Sequence, residues 1–219
     1  MSAFPLYAIY GASGAGREVM PLARRQLERE GNPFDLVFVD DAAHGGVVNG
    51  HRVLSFDAFL ATPASVHFVN VAIAQSLVRQ RLVEKCAAAG CGFFSVAADS
   101  SAVFDDVIIG PGSLLCSFVL LTTNVRIGQH FHANYYSHVA HDCRIGDFVT
   151  FAPGVRCNGN VVIEDHAYIG SGAILRQGTP GNPLVIGRGA VVGMGAVVTK
   201  SVAPGVTVVG NPARPLIKA

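Results

Sequence analysis

The chain has 219 residues, half of them apolar, and a formal net charge of +1, so it offers neither a basic field for nucleic acid nor an acidic tail. Its five cysteines (Cys86, Cys91, Cys116, Cys143, Cys157) are an odd number without a Cys-x-x-Cys pair, which argues against a disulfide framework and a structural zinc site. The opening MSAFPLYAIYG lacks a basic segment followed by a long apolar run, and no apolar stretch approaches the roughly 20 residues that span a bilayer, so a soluble cytoplasmic protein is expected.

In chain order, Tyr7 to Tyr10 reads as a short strand that ends in Gly11-Ala12-Ser13-Gly14-Ala15-Gly16 and continues through Arg17 into a helix to about Glu30. Strand, glycine-rich turn and helix in that order present free backbone N–H groups at a helix N-terminus, where a phosphate is held. The spacing Gly-x-x-Gly-x-Gly is not the dinucleotide spacing. A second strand, Leu36 to Val39, ends in Asp40 and Asp41, which can accept hydrogen bonds from a ribose or a base. Val66 to Ile73 reads as a third strand, Ser76 to Ala89 as a helix and Phe93 to Val96 as a fourth strand, completing one small parallel unit. A full NAD-binding domain has two such halves, so the half-size unit favours a mononucleotide or nucleotide sugar over a dehydrogenase cofactor.

From Val103 onward an apolar or small residue returns at every sixth position: Val103, Ile109, Leu115, Leu121, Ile127, Ala133, Val139, Ile145, Phe151, Cys157, Ile163, Ile169 and Leu175. Neither a helix nor a flat strand has that period; a hexapeptide solenoid does. Three hexapeptides close one triangular coil, the repeating residue faces the prism axis, and residues eighteen apart stack. The residues two places earlier, such as Val119, Val125, Phe131, Val149 and Val155, form a second inward set. Gly after Ile109, Ile127, Ile145 and Ile169 is expected to mark corners where a missing Cβ permits unusual backbone angles. The register slips by five residues after Leu175 and resumes at Ile186, Val192 and Val198, so a Gly- and Pro-rich external loop is expected near 176–184. The fold class expected is thus an α/β Rossmann-like domain over 1–100, followed by a parallel β-helix over 101–219.

His130, His132, His138, His141 and His166 cluster on the coils, yet among the first four only His132 and His138 share a hexad position, so no metal site is expected and most of the imidazoles read as exposed residues. His141 stands apart, at a corner two residues past Val139 and followed by Asp142. An imidazole there can accept a proton, and the carboxylate can fix its tautomer, provided a turn brings consecutive side chains together. Cys143 falls on the inward set and is a poor covalent nucleophile.

GASGAG, the divided chain, NYYSHVAHDCRIGDFVTFAPG and the ending VVGNPARP together resemble the sugar O- and N-acyltransferases of the left-handed β-helix superfamily, over essentially the whole chain. They look most like the bacterial nucleotide-sugar N-acetyltransferases that act on 4-amino-4,6-dideoxyhexoses. The resemblance implies a homotrimer with sites between subunits, acetyl-CoA along the coils, no metal, and a nucleotide-linked amino sugar as acceptor, GDP-perosamine foremost, made for O-antigen. It makes His141 the catalytic histidine and Asp142 its acidic neighbour. Asn134 would hold the sugar, Gly11, Ser13, Gly14, Gly16 and Arg17 the phosphates, and Asp40 and Asp41 the nucleoside. Gly159, Ser171, Gly172, Met194 and Arg214 would lie along the cofactor. The pattern departs at Ala15, where related enzymes often carry histidine. An O-acetyltransferase on the same histidine and a non-catalytic nucleotide-sugar scaffold remain the alternatives.

Overall fold

The computed structural model describes residues 4–42 and 45–216 and divides into two compact units, Met1–Ala97 and Ala98–Ala219. The first unit holds β1 (Leu6–Tyr10), α1 (Gly14–Glu30), β2 (Asp35–Val39), β3 (Gly46–Val48), β4 (His51–Leu54), α2 (Phe56–Ala61), β5 (His67–Val71), α3 (Ser76–Ala88) and β6 (Gly92–Phe93). The sheet order is β3-β4-β2-β1-β5-β6, with β1 parallel to both β2 and β5. Ala8, Ile9, Val37, Phe38, Val39, Val69 and Val71 are all buried, as expected of parallel strands covered on both faces.

Two features correct the expected strands. β3 runs antiparallel to β4 in a hairpin that the sequence reading missed. Its two-residue turn is Asn49-Gly50, both at positive φ (48° and 83°), which matches the right-handed twist of the flanking strands. The fourth strand ends at Phe93 rather than Val96, because side chains take over the next carbonyls: Asn70 Nδ2 donates to Phe94 O (3.0 Å) and Gln26 Nε2 to Ser95 O (3.0 Å).

The second unit is a triangular parallel β-helix. One face stacks strands 107–109, 125–127, 144–145, 161–163 and 184–186; the second stacks 102–103, 120–121, 138–139, 156–157, 174–175 and 197–198. The third carries 114–115, 132–133, 150–151, 168–169, 191–192 and 207–209, closed by an antiparallel strand at 214–215. Cα pairs such as Leu121 with Val139, Val139 with Cys157 and Cys157 with Leu175 fix the eighteen-residue coil. The inward series is buried from Leu115 to Leu175 and again at Ile186, Val192 and Val198. Val103 (46% exposed) and Ile109 (half-buried) are the exceptions, because each lies on the edge strand of its face, with a coil on one side only. Between Leu175 and Leu184 the chain leaves the prism as an external loop and rejoins it where Leu184–Ile186 pairs with Val161–Ile163.

Positive φ does occur at every sixth residue, but not at the glycines expected to carry it. The left-handed residues stand three places after each inward residue from Val103 to Ile169: Asp106, Gly112, Phe118, Asn124, His130, Tyr136, Asp142, Phe148, Gly154, Asn160, His166 and Gly172. The glycines directly after the aliphatics serve close approach between coils instead. A Cβ on Gly110 would lie 2.6 Å from the Gly128 carbonyl carbon, and one on Gly170 would lie 2.6 Å from Met194 N.

Asp41 ties the first unit together beyond β2. It accepts from Tyr10 Oη (2.6 Å), Lys85 Nζ (2.8 Å) and the Phe56 backbone N–H (2.9 Å), joining β1, α3 and the start of α2. Burial alone would raise this carboxyl; the Lys85 ammonium, the Tyr10 hydroxyl and the Phe56 N–H outweigh it and hold the group down at about 2, against an ordinary 3.8. A carboxylate with a depressed folded-state pKa stabilises fully above its unfolded value and loses that contribution as pH falls through the folded one. The difference in urea midpoint between wild type and Asp41→Asn should therefore shrink between about pH 4 and about pH 2. A difference that stays constant over that window would remove the charge from the account.

Candidate active site

The left-handed residues build three corner ladders. Asn124, Asp142 and Asn160 (φ 57°, 60° and 56°) form the first; His130, Phe148 and His166 the second; Phe118, Tyr136, Gly154, Gly172 and Gly195 the third. Backbone bonds run up each ladder, as in Asp142 N to Thr123 O (3.1 Å) and Asn160 N to His141 O (3.0 Å) on the first.

His141 lies at the entry to the first corner. Because Asp142 turns through φ 60°, its side chain swings back beside the preceding residue, and His141 Nδ1 meets Asp142 Oδ2 at 2.8 Å. This is the turn that the pairing of consecutive residues requires. Both side chains are 46% exposed. A carboxylate only accepts, so the shared proton belongs to Nδ1, and Nε2 keeps the lone pair. The hydrogen bond to His141 first, and a second bond from Asn124 Nδ2 (3.2 Å), lower the pKa of Asp142.

Gly159 lies on the following coil, eighteen residues after His141, and forms the floor of the imidazole. A Cβ there would come within 2.5 Å of both Cε1 and Nε2. The first corner borders a cavity of about 560 Å³, walled by Arg126 and Arg144 and roofed by Thr179, Pro180 and Pro183 of the external loop. Arg126 holds Asp106 through two contacts (2.8 and 3.0 Å).

The remaining coil residues fall elsewhere. Asn134 leads into the third corner and donates from Nδ2 to Phe151 O (2.7 Å), which leaves its side-chain oxygen available. Ser171-Gly172 and Met194-Gly195 continue up that same corner, with Ser171 and Gly172 exposed and Met194 81% exposed. Nothing stands within 4 Å of a Cβ built on Gly172 or Gly195, so the corner presents a flat, open track. Arg214 is exposed on the closing strand. One prism therefore brings His141, Asp142 and Gly159 together on one corner and leaves Asn134, Ser171, Gly172 and Met194 on another.

In the first unit, Gly11 (φ 109°), Ser13 and Gly14 sit at the carboxyl end of β1, next to β5, where the chain leaves the central strand in opposite directions and α/β sheets bind ligands. A Cβ on Gly16 would collide with the Gly11 carbonyl, so only glycine lets α1 start this close to its strand. Ser13 precedes the helix without a side-chain capping bond, and the Arg17 N–H closes the first turn onto Ser13 O (2.9 Å). Asp40 Oδ2 accepts from Ala12 N (2.9 Å) and so fixes the glycine turn, while Asp41 is engaged as described above. Arg79, fully buried, donates to Ile73 O (2.6 Å) and Ala74 O (3.2 Å) and sets the neighbouring loop; burial pushes its pKa down to about 9.

The expected exposure of two histidines needs correction. His130 and His132 are buried, not exposed: His130 stacks on Phe148, which stacks on His166 (centroids 5.2 and 5.4 Å), a ladder set by the corner geometry. Among the described residues no group of three His, Cys, Asp or Glu side chains is placed to hold a metal. Cys143 is fully buried with its Sγ 3.9 Å from that of Cys157, so it faces the core rather than the site. Asn124, the arginines and the second role of Gly159 escaped the sequence reading. Subtracting or adding the coil length of eighteen from Asp142 and His141 was the signal that finds Asn124 and Gly159.

Gly159→Ala should leave the thermal midpoint within a few degrees, because the collision falls on a half-exposed ring, yet reduce activity by well over tenfold through displacement of Nε2. Unchanged activity in a folded Gly159→Ala protein would show that the ring position is not critical.

No family model matches the chain. It is 53% identical over 210 residues, 95% of both chains, to the GDP-perosamine N-acetyltransferase of Escherichia coli O157:H7. The solved structure of WeeI from Acinetobacter baumannii AYE matches with a TM-score of 0.93 and 55% identity, over 97% of this chain and 100% of that one. The acetyltransferase domain of PglB from Neisseria gonorrhoeae FA1090, solved with acetyl coenzyme A, matches with a TM-score of 0.85 and 30% identity, over 98% of this chain and 100% of that one. With that identity across nearly the full length of both chains, and a prism shared with enzymes of this type, the chain belongs to the left-handed β-helix family of hexapeptide-repeat sugar acyltransferases and is an acetyl-CoA-dependent N-acetyltransferase within it.

Proposed function

We propose that the enzyme transfers the acetyl group of acetyl-CoA to the 4-amino group of GDP-perosamine, with His141 as the base, and that the product serves surface polysaccharide synthesis. The observation that carries the mechanism is the His141–Asp142 pair at 2.8 Å on a glycine floor, which leaves Nε2 as a fixed proton acceptor. The sugar comes from the full-length relative, whose name states GDP-perosamine.

In this reading the free amine attacks the thioester carbonyl carbon, and a tetrahedral intermediate forms as the C=O electrons move to oxygen. The C–S bond then breaks, CoA leaves as its thiolate, and the proton lost from nitrogen passes to His141 Nε2 and on to the thiolate. An amine is already a good nucleophile once deprotonated, so the imidazole orients it and accepts one proton, worth about 10²–10⁴-fold. Alignment of two bound reactants contributes the rest. Both cysteines near the site face the core, so no acyl-enzyme is invoked.

The partition of residues between two corners supports a homotrimer with its sites between subunits. Asn134, Ser171, Gly172 and Met194 on one protomer's third corner would complete the first corner of the next. The open track over Gly172 and Gly195 suits an extended thioester arm. In the first unit, the turn at Gly11, Ser13, Gly14 and Gly16, with Arg17, would hold the diphosphate. Asp40 and Asp41, already bonded to Ala12 and Lys85, would meet the nucleoside only through their remaining acceptor capacity.

Thiol release measured with GDP-, UDP- and dTDP-linked 4-amino sugars and acetyl-CoA should be fastest with GDP-perosamine. A clear preference for another nucleotide or for a hydroxy sugar would overturn the substrate. His141→Asn should keep the fold and lose most turnover at saturating acetyl-CoA, and near wild-type kinetics would remove His141 from the chemistry.

A further inference from the structure

We infer that Asn124 is a positioning residue for the acetyl transfer, locking the Asp142 carboxylate so that one chosen oxygen faces His141. The inference rests on the reading of His141 as the base. Asn124 lies eighteen residues before Asp142 on the same corner, and both adopt left-handed backbone (φ 57° and 60°), so their side chains project in the same direction one coil apart. Asn124 Nδ2 donates to Asp142 Oδ1 at 3.2 Å, while Oδ2 takes His141 Nδ1–H at 2.8 Å. Each oxygen of the carboxylate thus has its own donor. Without Asn124 the carboxylate could rotate about its last torsion and share its bond to the imidazole between two orientations, and Nε2 would no longer be aimed at one point.

The chemistry of the amide suits this task. A carboxylate can only accept, so the amide must present its NH₂ and cannot flip. Asparagine also tolerates the left-handed turn that a longer amide such as glutamine resists. The other groups facing Asp142 do not duplicate the role. Asn160 follows on the same corner, Arg126 and Arg144 stand across the cavity, and the loop contributes Thr179, Pro180 and Pro183. Arg126 is held by Asp106 one coil further down.

Two variants test the inference. Asn124→Gly removes the amide and keeps a residue at ease in left-handed backbone, so the fold should survive. Loss of a hydrogen bond to a charged group should then lower kcat roughly tenfold or more, with KM for acetyl-CoA unchanged. Asn124→Asp retains the turn but sets two carboxylates at hydrogen-bond distance. Like charges so close share a proton, so the acid limb of the kcat–pH profile should move up by about one unit or more. A purely structural role would leave that limb in place. A profile for Asn124→Asp that superimposes on the wild type, or full kcat in Asn124→Gly at an unchanged melting temperature, would overturn the inference. His141→Asn assayed alongside separates the two readings: if it stays active the base assignment fails, and if it is inactive while both Asn124 variants behave as wild type, only the Asn124 role fails.

Discussion

The second unit depends on one backbone requirement, that the chain pass through the left-handed region three residues after each inward residue from Val103 to Ile169. Left-handed backbone is unfavourable for most side chains, with glycine, asparagine and aspartate the ordinary occupants. Here it is met at position after position, by Phe118, Tyr136 and Phe148 as well as by Asn and Gly. Such repetition is sustained because each corner is bonded to the coil before it, as Asp142 is to Thr123 and His166 to Asp147, and because the turn keeps the next aliphatic on the axis. Packing of that axis offsets the local strain, and the stacked coils translate a six-residue sequence rule into columns of side chains.

The same requirement explains the chemistry. Along a pleated strand, consecutive side chains point to opposite faces, so a histidine and the aspartate after it would not meet. At a corner they do. The site needs no long-range folding coincidence to assemble its pair, because His141 and Asp142 are brought together by the turn that every coil makes. The stacking supplies the remainder: the preceding coil places Asn124 against the far oxygen of the carboxylate, and the following coil places Gly159 against the ring. A pair embedded in a repeat, as the proposed base and its carboxylate are, is therefore supported along the prism axis.

What could be read from the sequence was whatever repeats or lies close along the chain. The inward series, the external loop and the β-α order of the first half are all local or periodic patterns. Two local signals were nevertheless overlooked or misread. Asn49-Gly50 announces a hairpin, and the glycines after Ile109, Ile127, Ile145 and Ile169 mark close approach between coils rather than backbone freedom. The burial of His130 and His132 was hidden for another reason: a polar residue type says nothing of a neighbour eighteen places away that stacks on it or covers it. Asp41 illustrates the limit in the first half, since Lys85 and Phe56 reach it only through tertiary folding.

A coil that repeats every eighteen residues also fixes height along the prism, and that bears on how the proposed trimer would work. Rotation about a threefold axis parallel to the prism leaves height unchanged, so in such a trimer the third corner of one copy would meet the first corner of the next at matching rungs. Asn134 and Tyr136 belong to nearly the same rung as His141, whereas Gly172 and Gly195 lie progressively toward the C-terminal end. A reactant lying against the open glycine track would thus reach His141 from the C-terminal side, and a second reactant would be left the N-terminal side with Asn134 opposite the imidazole. In that proposed trimer the two would approach from opposite ends of the groove and meet only at the rung that carries His141. Given that trimer, the order would follow from the coil register and would separate cofactor from acceptor without any moving part.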